Sequence, residues 1–152
     1  MSYLPCELHC HTIHSDGDFT VSELQKAAAD DHLAIIALTD HNTFSGWDEL
    51  DDNIIPAIRG IEWTTYFGHM LVLGANDFVD WRDAQPDNID EKIKQVKAVG
   101  GIVGIAHPYQ LGSPLCTGGR WEFNVRDWRN VDYIEVWHQN LYSAKRENER
   151  AL

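Results

Sequence analysis

The chain has 152 residues, about one domain by the usual prior of roughly 100 to 200 residues, and its 43% hydrophobic content is that of a globular protein rather than a disordered one. No apolar run approaches the roughly 20 residues of a spanning helix, and the start Met1-Ser2-Tyr3-Leu4-Pro5 has no secretory pattern, so a soluble cytoplasmic protein is expected. Twenty-four acidic against twelve basic residues give a net charge of −12, which argues against an electrostatic nucleic-acid binder but not against an anionic substrate, since bound divalent cations invert the field in their own cleft.

The first element is the run Leu8-His9-Cys10-His11-Thr12-Ile13-His14-Ser15-Asp16-Gly17. Histidines at i and i+2 on a short strand point to one face, where a cation can bridge them, and the Ser-Asp-Gly turn adds a carboxylate. Cys6 and Cys10 share the opposite face and read as buried thiols rather than zinc ligands. With Cys116 they make an odd count lacking a CxxC pair, so no disulfide framework is expected. Thr20-Val21-Ser22-Glu23 has the capping-box spacing and starts a helix over 21–31, with His32 at its end as a partner for the helix dipole. Leu33 to Thr39 reads as a buried strand of a parallel sheet, ends in Asp40-His41, and completes a β-α-β unit.

Ser45 to Leu50 is expected as a short helix, Ile54 to Ile61 as a third strand delivering Glu62, and Tyr66 to Ala75 as a fourth with His69 near its start. Asp87-Asn88 caps a helix whose Ile89, Ile93, Val96 and Val99 follow the 3.6-residue period, and Gly100-Gly101 ends it. Ile102 to Ala106 is a fifth strand ending in His107-Pro108. The stretch from Pro108 to Arg126 is long for a connection and is expected to be a loop over the site. Val131 to Trp137 is a sixth strand bearing Glu135, and a charged helix follows over 142–152. Six strands, mostly alternating with helices, predict a single α/β domain over 1–152 with a barrel-like sheet.

In parallel α/β architectures the carboxyl ends of the strands form the active face, so His9, His11, Asp16, His41, Glu62, His69 and His107 are expected in one cleft. Their mixture of imidazole and carboxylate suits zinc, iron or manganese better than calcium. Seven such groups exceed one ion's needs. A carboxylate such as Glu62 can bridge two cations, and a multinuclear site can hold a hydroxide nucleophile while clamping the leaving oxygen of a phosphoester.

The ordered motifs His-Cys-His-Thr-x-x-Ser-Asp-Gly, Thr39-Asp40-His41, Gly60-Ile61-Glu62, Gly68-His69, Ala106-His107-Pro108 and Ile134-Glu135-Val136 resemble the PHP family, named for polymerase and histidinol phosphatase. Gly60-Ile61-Glu62-Trp63-Thr64-Thr65, the run from Gly68 to Gly74, and Ile134-Glu135-Val136-Trp137 are most similar to its CehA/McbA-like phosphoesterases. The resemblance implies a distorted (β/α)7 barrel with a trinuclear metal centre. His9, His11 and Glu62 would hold one ion, Glu62, His69 and His107 a second, and Asp16 with His41 a third, making two or three divalent transition ions. Glu62 and His107 would be catalytic, in a phosphoesterase acting on a phosphomonoester or phosphodiester. Arg120, in Gly118-Gly119-Arg120-Trp121, is the candidate for holding substrate phosphate, since guanidinium matches phosphate oxygens bidentately.

Around these, Asp40 either orients a ligand imidazole or caps a strand-end turn, and Glu135 takes a structural role or supports a ligand. His14 is read as a solvent-facing loop histidine rather than an acid, His138 as rim, and the tryptophans as core or cleft wall. The family closes with a seventh strand bearing Asp-x-His, and no Asp-x-His follows Glu135 here. The first and third metal sites are therefore expected to lack a ligand, and an unpaired sheet edge could support a homo-oligomer. Two other readings stay open: a metal-stabilised interaction module without turnover, and a hydrolase of amides or carbamate esters.

Overall fold

A computed structural model describes residues 3–110, 119–137 and 149–151. Cys116, His138, residues 111–118 of the long connection and most of the helix expected over 142–152 lie outside the described residues, although 149–151 are helical. The chain is mixed α/β and falls into two compact units, Met1–Glu62 and Trp63–Leu152.

The first unit carries β1 (Cys6–Cys10), α1 (Val21–Asp30), β2 (Ile35–Leu38) and β3 (Ala57–Thr65) up to Glu62. β1 pairs parallel with β2, and β2 parallel with β3. The apolar run of β2 buries Ile36, Ala37 and Leu38, as a strand covered on both faces requires. Both halves of the capping box form: Thr20 Oγ1 accepts from the Glu23 N–H at 3.3 Å, and the Glu23 carboxylate accepts from the Thr20 N–H at 2.9 Å. α1 then lays Ala28 against Ile36 and Ile55, with Leu24 and Leu33 around them. Buried Gln25 makes a two-way amide pair with Asp51, which ties the helix to the loop before β3.

Several expectations for this unit shift. β3 begins at Ala57, because Pro56 has no N–H to give to a ladder, and it runs on to Thr65, so Glu62 is delivered from a strand interior rather than a strand end. The short helix is a 3-10 turn over Trp47–Glu49. His32, exposed and at φ 61°, acts through its backbone as the left-handed residue that ends α1, with its N–H on Ala29 O at 3.0 Å. Cys10 is buried, and burial first, then Glu7 and Asp40, push its thiol up to about 12, where it behaves as a small apolar group. Cys6 is exposed, contrary to the buried-thiol reading, because it opens the first strand.

In the second unit the last residues of β3 turn through Tyr66-Phe67 into β4 (Gly68–Leu73), with Thr65 Oγ1 donating to Gly68 O at 2.8 Å. This tight reversal turns the chain back on itself and fixes the direction of β4. β4 pairs antiparallel with β5 (Ile102–Ile105), whereas β5 pairs parallel with β6 (Tyr133–Ile134), so the sheet is not wholly parallel. α2 (Ile89–Ala98) buries Ile89, Ile93 and Val96 as its periodicity predicts. Asn88 precedes it without a side-chain cap and instead accepts from Gln85 N at 2.7 Å and donates to Asp83 O at 2.9 Å. The sixth strand, β6, shrinks to Tyr133–Ile134. Its register depends on Gly104, where a Cβ would stand 2.2 Å from Cζ of the Tyr133 ring. Among the described residues no helix is long and apolar enough to cross a membrane.

Candidate metal centre

In the first unit, β1 ends at Cys10 and the chain turns back at once: Thr12 O accepts the N–H groups of Ser15 at 3.0 Å and Gly17 at 2.9 Å. The turn is so tight that a Cβ on Gly17 would lie 2.3 Å from His11 O, which explains a glycine there. Asp40, 2% exposed, holds this turn from β2's end. Its carboxylate accepts from Thr12 N–H and Thr12 Oγ1, each at 2.7 Å, and from Ser15 Oγ at 2.6 Å. The turn-capping reading of Asp40 is therefore the one observed, and its effect is to fix the loop that carries His11 and Asp16.

One residue further, the β2–β3 ladder continues as a parallel bridge between His41 and Glu62, with Asn42 N donating to Glu62 O at 3.0 Å. That bridge sets the two side chains side by side. Glu62 is fully buried, and its Oε2 stands 3.2 Å from His9 Nε2, 3.3 Å from His11 Nε2 and 2.8 Å from His41 Nδ1. Asp16, on the exposed side, reaches His11 Nδ1 and His41 Nε2, each at 3.5 Å. His9, His11, Asp16, His41 and Glu62 thus meet. His11 faces both carboxylates, so the division of the ligands between a first and a third ion is less sharp than the family resemblance implies.

These residues fit a transition metal on two counts. Ligand bonds of about 2.0–2.2 Å put neighbouring donors of one shell roughly 3.0–3.5 Å apart, the range of most of these separations. The protonation chemistry also suits. Burial, and then His9, push His11 down to about 4, so its imidazole is neutral and carries a lone pair. At His41 burial acts downward, but the hydrogen bond and charge of Glu62, with Asp16, outweigh it and the pKa is raised, so a metal ion there competes with a proton for the imidazole.

The second unit brings His69 and His107 together, both buried, with ring centroids 4.9 Å apart. Ala106 N donates to His69 O at 3.1 Å, carrying the β4–β5 ladder to the residue before His107. His107 has φ 25°, and its N–H donates to Glu135 Oε2 at 2.8 Å, so Glu135 supports a candidate ligand through the backbone. His107 Nδ1 faces Gly119 O at 3.4 Å, an arrangement that favours the Nδ1–H tautomer and a lone pair on Nε2. Arg120 follows directly. It bridges Tyr109, and Trp121 N donates to Pro108 O at 3.0 Å, so the chain bearing Arg120 is pinned to the residues after His107.

His14 is tied down rather than solvent-facing, with Nδ1 at 2.9 Å from Ser45 Oγ and Nε2 at 2.9 Å from Glu49 Oε1. The sequence reading missed Thr12 and Ser15 as the donors that clamp Asp40. Their place beside His11 and Asp16 was the available signal.

Imidazoles and carboxylates gathered on a mixed α/β frame make a cluster able to hold a metal ion in a chain of the α/β class. Residues 7–103 match the model of the PHP domain, and the chain belongs to that family. Among curated relatives it is 28% identical over 109 residues to the uncharacterized protein MJ1295 of Methanocaldococcus jannaschii, covering 72% of this chain and 48% of that one. One similar solved structure is a two-domain protein from Bacteroides vulgatus containing a predicted PHP-like metal-dependent phosphoesterase, with TM-score 0.66, 22% identity, and coverage of 88% of this chain and 44% of that one. A provisionally assigned metal-dependent phosphoesterase from Bifidobacterium adolescentis has TM-score 0.61 and 18% identity, covering 99% and 85%. The chain spans about half the length of the first two proteins, and the structural likenesses establish the fold: an α/β chain with six strands that matches part of a PHP barrel.

Proposed function

We propose that this chain is a metal-dependent phosphoesterase acting on a small phosphomonoester or phosphodiester. The observation that carries the reading is the buried Glu62 carboxylate set among three imidazole nitrogens within 3.3 Å, an anion that a dry interior tolerates only with positive charge at hand. His9, His11, Asp16, His41 and Glu62 would hold zinc, manganese or iron, and the family resemblance adds His69 and His107 as ligands. Bound cations supply Lewis acidity and neutralise charge developing on phosphoryl oxygens. Asp40 keeps His11 and Asp16 in place, Glu135 keeps His107 in place so that its Nε2 lone pair would serve a cation, and Arg120 binds phosphate oxygens. A cytoplasmic location and pairing of copies through a sheet edge belong to the same proposal.

The test is turnover of p-nitrophenyl phosphate and bis(p-nitrophenyl) phosphate, beside p-nitrophenyl acetate, by protein loaded with each metal and then treated with chelator. Phosphoester turnover that disappears with the metal is expected. Metal-loaded protein that leaves both phosphoesters intact would overturn the reading, in favour of a non-catalytic module if it is inert and of carboxyl or amide hydrolysis if only the acetate is cleaved.

A further inference from the structure

The second unit contains a cavity of about 310 Å³ of which the steps above use only Arg120. Tyr109, Trp121 and Trp128 wall it, Ile105 and Ile134 are also in its lining, and Arg120 supplies charge. Its lining includes Pro108, the residue after His107. The walls are held firmly. Glu122 N donates to Phe67 O at 2.6 Å, Trp121 packs on Phe123 with centroids 5.0 Å apart, and a Cβ on Gly68, which has φ 137°, would crowd the Trp121 ring at 3.0 Å, so glycine suits the position before His69.

Three features say what would enter. Flat aromatic walls favour a planar ring, which stacks or meets them edge-on. Among the described residues no carboxylate pairs with Arg120, and the Arg150 guanidinium lies 5.0 Å from the centroid of the Tyr109 ring. A guanidinium in the lining without a carboxylate partner, in a chain of net charge −12, marks a place for an anion. The indole N–H of Trp121 is buried in this wall and meets no acceptor among the described residues, which suits a ligand carrying polar atoms better than a wholly apolar one.

We infer that this cavity receives the alcohol side of the substrate, and that the preferred substrates are phosphoesters of planar aromatic alcohols. The inference rests on the phosphoesterase reading, and binding of non-hydrolysable phosphonates separates the two. With metal-loaded protein, phenylphosphonate is expected to bind about 10-fold or more tighter than methylphosphonate by calorimetry, with a change in tryptophan fluorescence. Trp128 is half exposed, so Trp128→Ala should fold and keep its metal, and in it the preference should collapse towards one. Arg120→Ala should weaken both phosphonates while keeping the phenyl preference. Equal affinity for the two ligands in the wild type, or a phenyl preference untouched by Trp128→Ala, would overturn the inference. A preference that behaves as expected in protein unable to hydrolyse any phosphoester would sink the phosphoesterase reading instead.

Discussion

Glu62→Gln is expected to lower metal affinity by about 100-fold and phosphoester turnover by at least as much, while the metal-free protein keeps its fold. The side chains are nearly isosteric, so packing under the fully buried position survives. The charge does not survive, and with it goes the attraction that gathers cations beside His9, His11 and His41. A carboxamide also points N–H donors at imidazole nitrogens that should face metal. Because a neutral amide is cheaper to bury than a carboxylate, melting of the metal-free variant should match or exceed that of the metal-free wild type. The rise in Tm on adding metal should shrink by up to about 2.7 kcal/mol of ligand stabilisation, the linkage value for a 100-fold loss of affinity. Calorimetric melting with and without metal checks both halves. A wild-type response to metal would mean that Glu62 holds none.

Asp40→Ala acts on the same centre through the backbone. Its carboxylate satisfies Thr12 N–H, Thr12 Oγ1 and Ser15 Oγ at once, and Thr12 is itself fully buried, so removal leaves buried donors unmet. A destabilisation of about 3–5 kcal/mol is expected, which for a chain of this length lowers Tm by roughly 10 °C. Release of the turn should also free His11 and Asp16, so metal bound towards the exposed Asp16 is lost before metal bound beside buried Glu62 and His9. Denaturant unfolding measures the first effect and chelator titration the second. A shift below about 1 kcal/mol would show that the three hydrogen bonds do not hold the turn.

Much of this arrangement is legible in the residues, for identifiable reasons. His9 lies on β1 and His11 just past its end, and the alternation expected of a strand brings both imidazoles to Glu62 although the ladder stops at Cys10. The helix before β2 announces itself through Thr20 and Glu23, whose reciprocal bonds form as their spacing requires. Features that depend on a partner escape a reading of one segment at a time. The antiparallel β4–β5 pair depends on the Thr65–Gly68 reversal, which looks in sequence like an ordinary break between apolar runs. Glu62 looks like a strand terminus because Ile54 to Ile61 is apolar, yet Pro56 delays the ladder and the strand continues past it. The reduction of β6 to two residues has a similar origin: polar and exposed neighbours such as Asp132, which caps Val103 N through its carboxylate at 2.8 Å, leave the ladder short. The cavity beside Arg120 could not be read from the chain, because Tyr109, Trp121, Trp128 and Ile134 come from three separate segments.

The most direct measurement is the metal content of the purified protein after exhaustive dialysis, by inductively coupled plasma mass spectrometry, for the wild type and for a His9→Ala/His41→Ala double variant. The account predicts at least one zinc, manganese or iron ion per chain in the wild type and a large loss in the variant, with both proteins folded by circular dichroism. Wild-type protein that stays metal-free after incubation with each of the three ions, or a double variant that retains the full complement, would contradict it.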